Sequence, residues 1–216
     1  MEEKMKVLLV NGSPNKNGCT HTALHYIAEV MKTESIETEE FWIGNKPISG
    51  CIGCRGCIQN GKCVFNSDAV NVFGEYAATA DGIIFGSPVH YASAAGNMGS
   101  FMDRVFFSDF CGKKENFYLK PAAAVVSARR AGTTATLDQM NKYFLHAQMP
   151  IVSSRYWNGI HGNTPEEIMQ DQEGLQILRV LARNMAWFLK LKEAGEKQNI
   201  PFPIKEDNRI ATNFIR

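Results

Sequence analysis

Met5-Lys-Val-Leu-Leu-Val-Asn11-Gly-Ser-Pro-Asn-Lys-Asn-Gly-Cys-Thr20-His-Thr-Ala-Leu-His-Tyr-Ile-Ala-Glu-Val-Met31 decides the fold class. Residues 5–11 are a mostly apolar run that stops at Gly12, the pattern of a strand buried on both faces of a parallel sheet. Past the loop, Ala23, Leu24, Ile27, Ala28 and Met31 recur at helical spacing over Thr20–Met31. Strand, glycine-bearing turn and amphipathic helix make one βα unit, and the chain repeats it. Ile36–Ile43 reads as a second strand, more polar and so nearer an edge. Asp68 is placed to cap a helix through Tyr76. Gly82–Gly86 reads as the third strand, Gly96–Phe107 as helix and Ala122–Ser127 as the fourth strand. Thr133–Leu145 reads as helix, Ile151–Ser154 as the fifth strand and Gly174–Glu193 as a long final helix. Five strands alternating with helices predict a doubly wound α/β sheet. Such sheets bind ligands beyond the carboxyl ends of their strands. The loops after strands one, three and four are therefore the candidate site.

The 216 residues, 44% of them hydrophobic, suffice for one large domain. It is expected to span 1–195, with a cysteine-rich insert at about 44–66. Residues 196–216, which hold Pro201 and Pro203, read as a tail. Lys+Arg at 23 against Asp+Glu at 22 leaves a net charge of +1, which gives no reason to expect nucleic acid or a polybasic membrane contact. No apolar run approaches the ~18 residues of a membrane span. Val7–Val10 is too short for a signal-peptide core. The expectation is a cytoplasmic protein with reduced thiols.

The loop Gly12–Thr20 leads into a helix N-terminus, whose free N–H groups and dipole suit a phosphate. Ser13 and Thr20 add hydroxyls, and Asn15 and Asn17 add amides. Neither G-x4-G-K-[ST] nor G-x-G-x-x-G occurs. An ordinary capped βα turn is the bland reading of the same residues. After strand three, Gly86-Ser-Pro-Val-His-Tyr-Ala-Ser-Ala-Ala-Gly96 places small residues after His90 and Tyr91, where a flat ring could lie against backbone. Tyr91 reads equally as a stacking partner or a rim contact. After strand four, Arg129 and Arg130 offer positive charge or a surface salt bridge. Gly132-Thr133-Thr134 reads as a helix start.

Cys51-Ile-Gly-Cys54-Arg-Gly-Cys57-Ile-Gln-Asn-Gly-Lys-Cys63 gathers four of the six cysteines in thirteen residues, spaced C-x2-C-x2-C-x5-C. A [4Fe–4S] cluster requires four thiolates, and the bacterial ferredoxin run opens with the same two x2 steps. Structural zinc usually draws on two separated cysteine pairs. The crowding therefore suits a cubane better, and a loop with no metal is the third reading. Cys19 and Cys111 are expected to stand outside this set. His21 and His25 share a helix face without an evident third ligand. They, His146 and His161 read as packing or surface residues.

Taken together, Gly12-Ser-Pro…Asn17-Gly-Cys-Thr20, the four-cysteine run, Ser87-Pro-Val with Phe101-Met-Asp-Arg104, and Ser127-Ala-Arg-Arg-Ala-Gly132 resemble the flavodoxin-like family of NAD(P)H-dependent FMN reductases and iron–sulfur flavoproteins. The resemblance implies a five-stranded parallel sheet of order 2-1-3-4-5 with helices on both faces. It implies FMN held noncovalently, its phosphate at Ser13, Asn15, Gly18, Cys19 and Thr20. The ring would lie at Pro88, Val89, His90, Tyr91 and Ala92, with Ser127, Arg129, Arg130 and Gly132 nearby. In the iron–sulfur members the motif matching Cys51, Cys54, Cys57 and Cys63 ligates one [4Fe–4S] cluster. Two positions depart from the family pattern. Cys19 stands where Asn is common, and His90-Tyr91-Ala92 stands where an aromatic pair and Gly are common. The implied activity is passage of reducing equivalents from NAD(P)H through FMN to a quinone, free flavin, small oxidant or protein. An electron carrier using FMN and one cluster is the runner-up, and a flavin-free binding or regulatory module is the alternative from another class. The family also implies a homodimer or homotetramer, with Trp157-Asn-Gly-Ile-His-Gly162 as a loop that could cover a neighbour's flavin or equally serve as a local lid.

Overall fold

The computed structural model describes residues 5–204, 206, 210 and 212. The rest of the expected 196–216 tail, at 205, 207–209, 211 and 213–216, lies outside the described residues. The chain runs β1 (Lys6–Asn11), α1 (Cys19–Thr33), β2 (Glu37–Trp42), α2 (Cys57–Asn60), α3 (Ala69–Thr79), β3 (Gly82–His90) and β4 (Ser93–Ala94). It continues with α4 (Gly96–Gly112), β5 (Ala122–Ala128), α5 (Thr133–His146), β6 (Gly159–His161), α6 (Pro165–Ile168) and α7 (Gln172–Lys197).

Five strands pair in parallel in the order β2-β1-β3-β5-β6, and the short β4 folds back antiparallel on β3. Without β4, this is the expected 2-1-3-4-5 order. The alternation of side chains along each strand explains the two layers of helices. Leu8, Val10, Ile83, Phe85, Ala122, Ala124 and Val126 face one way, into a core shared with α3, α4 and α5. Val7, Leu9, Ile84, Ala123 and Val125 face the other way, into a core shared with α1 and α7. A strand buried on both faces is mostly apolar, and β1, β3 and β5 are, with polar Asn11, Ser87 and Ser127 confined to their carboxyl-terminal parts at the candidate site. β2, with Glu37, Glu39 and Glu40, takes the edge.

Two expectations are corrected. The fifth strand is not Ile151–Ser154. Ile151 makes an isolated parallel bridge to Ala122, and Val152 N–H bonds the Ala122 carbonyl at 2.8 Å. The chain then leaves the sheet and returns as β6, opposite Val126–Ala128. Ser154 stabilises the excursion by bonding the Asn158 side chain at 2.7 Å. The third strand does not stop at Gly86 but runs to His90, so Pro88–His90 are strand residues and not loop. It reverses at Tyr91 and Ala92, both at positive φ (51° and 56°), and re-enters as β4 with His90 paired to Ser93. Positive φ at both central residues is the geometry of the tight hairpin turn whose twist matches its strands.

Candidate functional site

The carboxyl ends of β1, β3 and β5 place the Gly12–Thr20 loop, the β3–β4 hairpin and the Ser127–Gly132 segment at one end of the sheet. Gly12 N–H bonds the Gly86 carbonyl at 2.8 Å. A Cβ at Gly12 would stand 2.9 Å from that oxygen and 2.7 Å from Met98 Sδ, so only glycine allows this approach. Buried Asn11 pins the loop from below. Its Oδ1 accepts from Ser13 N–H at 3.1 Å, while its Nδ2 donates to the Lys16 carbonyl at 3.0 Å and Glu40 Oε1 at 2.8 Å. Trp42 Nε1 donates to the Ser13 carbonyl at 2.8 Å, and Ser13 Oγ accepts from Asn15 N–H at 3.1 Å. The loop is thus held by its own side chains and by β2 rather than left mobile.

α1 begins after Gly18 with no side chain capping its first turn. Uncapped N–H groups carrying the helix dipole are the donors a phosphate needs. Thr20 and Ser13 are buried beside them, and Thr20 Oγ1 lies 2.9 Å from Ser127 Oγ, which ties the first loop to the third. Cys19 points elsewhere: its Sγ reaches the Gly162 carbonyl at 3.8 Å. Burial pushes its thiol pKa up, with Glu167 and Glu166 adding to the rise, so the lowering usual at a helix N-terminus does not prevail. Only its backbone N–H remains available to the loop.

The second and third loops also meet. Gly132, at φ 95°, packs on the hairpin so closely that a Cβ would stand 2.7 Å from Ala92 Cα and 2.9 Å from Val89 Cγ1. Ser87 Oγ accepts from Ala95 N–H at 3.1 Å, and Gln139 Oε1 accepts from Ser93 Oγ and Ala94 N–H at 2.8 and 2.9 Å. Ser13, Gly18, Thr20, Val89, Ala92, Ser127 and Gly132 therefore belong to one assembly, with Asn15 and Pro88 at its border. His90, Tyr91, Arg129 and Arg130 are exposed, Tyr91 completely. Neither arginine forms a salt bridge among the described residues. Sequence reading passed over Asn11, Trp42, Glu40 and Gln139. Asn11 at the end of a buried strand, in register with Trp42, was the available signal: a polar side chain there must find partners.

The four-cysteine run forms a separate cleft. Cys51, Cys54, Cys57 and Cys63 line it together with Val64, Phe65, Arg104 and Phe107. Cys51 and Cys54 are exposed, Cys63 is partly covered and Cys57 is buried in α2. Among the described residues, no group of three or more His, Cys, Asp or Glu side chains is disposed to hold one metal ion. Zinc would need its sulfurs about 2.3 Å from a single centre. A cubane takes each thiolate at a different corner, so four thiols spread around one cleft fit its donor set in number and chemistry. Cys111 is not among the residues lining the cleft, although it lies beside Cys57. Burial and then the Cys111 thiol push the Cys57 pKa up. The close approach of α2 to α4 explains this: a Cβ at Gly112 would lie 2.9 Å from the Gly61 carbonyl oxygen. His21 pairs with Glu40 at 2.8 Å and stacks on His25, so the two histidines have protein partners.

Residues 5–164 match the family model described as NADPH-dependent FMN reductase. An iron-sulfur flavoprotein of Methanocaldococcus jannaschii is 30% identical over 192 residues, covering 87% of this chain and 98% of that protein. The structure of RosB with bound 8-demethyl-8-formylriboflavin-5'-phosphate superposes with a TM-score of 0.68 at 13% identity, covering 98% of this chain and 95% of that one. A WrbA-like flavodoxin from Agrobacterium tumefaciens superposes at 0.60 with 14% identity, covering 88% and 99%. At these identities the two structures speak to the fold, which is flavodoxin-like.

Proposed function

The chain belongs to the NADPH-dependent FMN reductase family, and we propose that it is an FMN-dependent oxidoreductase that also carries a [4Fe–4S] cluster. The observation that carries the flavin reading is the linked assembly of three loops, joined by the Thr20–Ser127 bond and the Gly132–Ala92 packing. Bound FMN would supply the redox chemistry, taking a hydride from NADH or NADPH and passing electrons to a small-molecule or protein acceptor.

The protein's part is positioning. The uncapped first turn of α1, with the Ser13 and Thr20 hydroxyls, would hold the phosphate dianion. Backbone groups of Pro88–Ala92 and of Ser127–Gly132 would border the ring. Arg129 and Arg130 are unpaired among the described residues and so remain available to a negatively charged group. Cys51, Cys54, Cys57 and Cys63 would ligate the cluster, whose chemistry is one-electron transfer. The domain in this reading spans 1–195, with the cysteine segment inserted between β2 and α3. The exposed Tyr156 and Trp157 of the β6 excursion support assembly with further copies of the chain.

The cysteine cleft and the iron-sulfur flavoprotein relatives favour a second reading, an electron carrier with no small substrate of its own. Anaerobic mixing with NADH or NADPH separates the two. Rapid bleaching of the flavin absorbance is expected of the oxidoreductase. A flavin that neither nucleotide bleaches, but that a chemical reductant or a low-potential carrier reduces, would favour the carrier.

A further inference from the structure

Arg104 is the largest fully buried side chain of the described residues, 1% exposed, and nothing in the flavin assembly uses it. It sits on α4 and lines the cysteine cleft. Burying a guanidinium is costly unless every direction finds a partner, and the partners found here all belong to one segment. Nε donates to Cys63 Sγ at 3.3 Å. One terminal nitrogen donates to the Ser49 carbonyl at 3.3 Å and to Asp68 Oδ2. The other donates to the Phe65 carbonyl at 3.0 Å and to Asp68 Oδ1 at 3.3 Å, and the guanidinium lies 5.1 Å from the centre of the Phe65 ring. Ser49 precedes the first cysteine of the run and Phe65 follows the last. A single planar group therefore ties both ends of the loop, the N-cap of α3 and one candidate ligand sulfur to α4. Lysine has one nitrogen and no fork and could not span these acceptors.

We infer that Arg104 is the positioning residue of the cluster site: its fork closes the mouth of the cysteine loop, and its Nε–H bonds the Cys63 sulfur as a cluster ligand. The inference rests on the proposed cluster. Two effects follow for a loaded site. Holding the loop ends together keeps four thiolates preorganised, which slows release of the cluster. An N–H···S bond withdraws charge from a ligating thiolate, and hydrogen bonds to the sulfurs are among the determinants of cluster potential. Its loss should make the cluster harder to reduce.

The test uses full-length protein reconstituted anaerobically with iron and sulfide. It compares wild type with Arg104→Lys and with the double variant Arg104→Met/Asp68→Asn. The double variant removes both charges of the pair together and keeps an acceptor at the α3 cap, so it guards against misfolding of the single variant. Iron content, the rate of iron loss to a chelator, the cluster's midpoint potential by EPR titration and FMN affinity are measured on each. The expected result is at least tenfold faster iron loss and a more negative midpoint potential in both variants, with FMN affinity within twofold of wild type. Wild-type release rate and potential in a variant that still binds FMN would overturn the inference while leaving the cluster intact. Failure of the wild type itself to take up iron would overturn the cluster reading, and this inference with it.

Discussion

Thr20 and Ser13 concentrate the phosphate hypothesis in two hydroxyls. Ser13→Ala with Thr20→Ala removes two donors to a charged group, each worth about 1.5–3 kcal/mol, so FMN affinity measured by fluorescence quenching should fall at least roughly tenfold. Unchanged affinity would place the phosphate elsewhere. Gly132→Ala is a backbone test of the ring side. A left-handed residue with a Cβ costs about 1–2 kcal/mol, and here that Cβ would also meet Ala92 Cα at 2.7 Å. The variant should melt at lower temperature and bind FMN more weakly, because the hairpin must shift. Wild-type melting and affinity would show that the contact is dispensable. Ser13 and Thr20 stood out in the sequence as hydroxyls in a glycine-bearing βα loop, and Ser127 and Gly132 through the family resemblance; the structure brings all four to one end of the sheet. The supporting Asn11 and Trp42 did not stand out, since what they touch comes from register between strands 25 or more residues apart. Cys19 shows how burial overrides position: a helix N-terminus favours a low thiol pKa, and burial beside Gly162, with Glu167 and Glu166 nearby, raises it instead.

At the scale of elements, boundaries moved where tertiary pairing overrode local pattern. β3 looked finished at Gly86, because Ser87 and Pro88 read as loop, yet Ser87 and Pro88 pair with Val126 and Ser127. The fifth strand looked continuous over Ile151–Ser154 because apolar residues gather there, yet only Ile151 bridges Ala122. The α3 cap was readable, since Asp68 precedes the first turn and accepts from Val70 N–H at 3.2 Å. What the sequence did not disclose is that the same carboxylate also serves buried Arg104. This double duty sets an order of mutational costs. Thr164→Ala removes the cap of α6 and an exposed contact with Glu166 and should cost about 1 kcal/mol. Asp68→Ala also leaves a buried guanidinium without its counter-ion and should cost about 3–5 kcal/mol. Denaturant melts of the two variants check this, and equal costs would mean that the Arg104–Asp68 pair contributes little.

At the scale of the whole molecule, the sheet with a helix layer on each face was legible because βα periodicity fixes a parallel sheet and parallel sheets are buried on both faces. Electrostatics is less legible, because burial is a property of the finished fold. Lys120 illustrates it: burial lowers its pKa to about 8 even though Asp81 opposes the shift, and its Nζ donates to the Ala77 carbonyl. Between about pH 8 and its unfolded value near 10.4, the unfolded chain binds a proton that the folded chain has lost. Lys120 therefore adds a slope of rising stability with pH across that window. The melting-temperature difference between wild type and Lys120→Gln should move in favour of wild type from pH 7.5 to pH 10. A difference that does not change with pH would contradict the assignment.

The described residues include no helix long and apolar enough to cross a membrane, and the two candidate centres lie on separate segments of one fold, the βα loops and the insert between β2 and α3. Their coexistence is the central claim. It is tested most directly by counting FMN, iron and sulfide per chain after anaerobic purification and reconstitution, on wild type and on Cys54→Ser. Wild type should carry about one FMN with about four irons and four sulfides, and Cys54→Ser should keep the flavin while losing the cluster. A wild-type chain that binds no FMN when it is supplied, or a Cys54→Ser chain with the full complement of iron, would contradict the account.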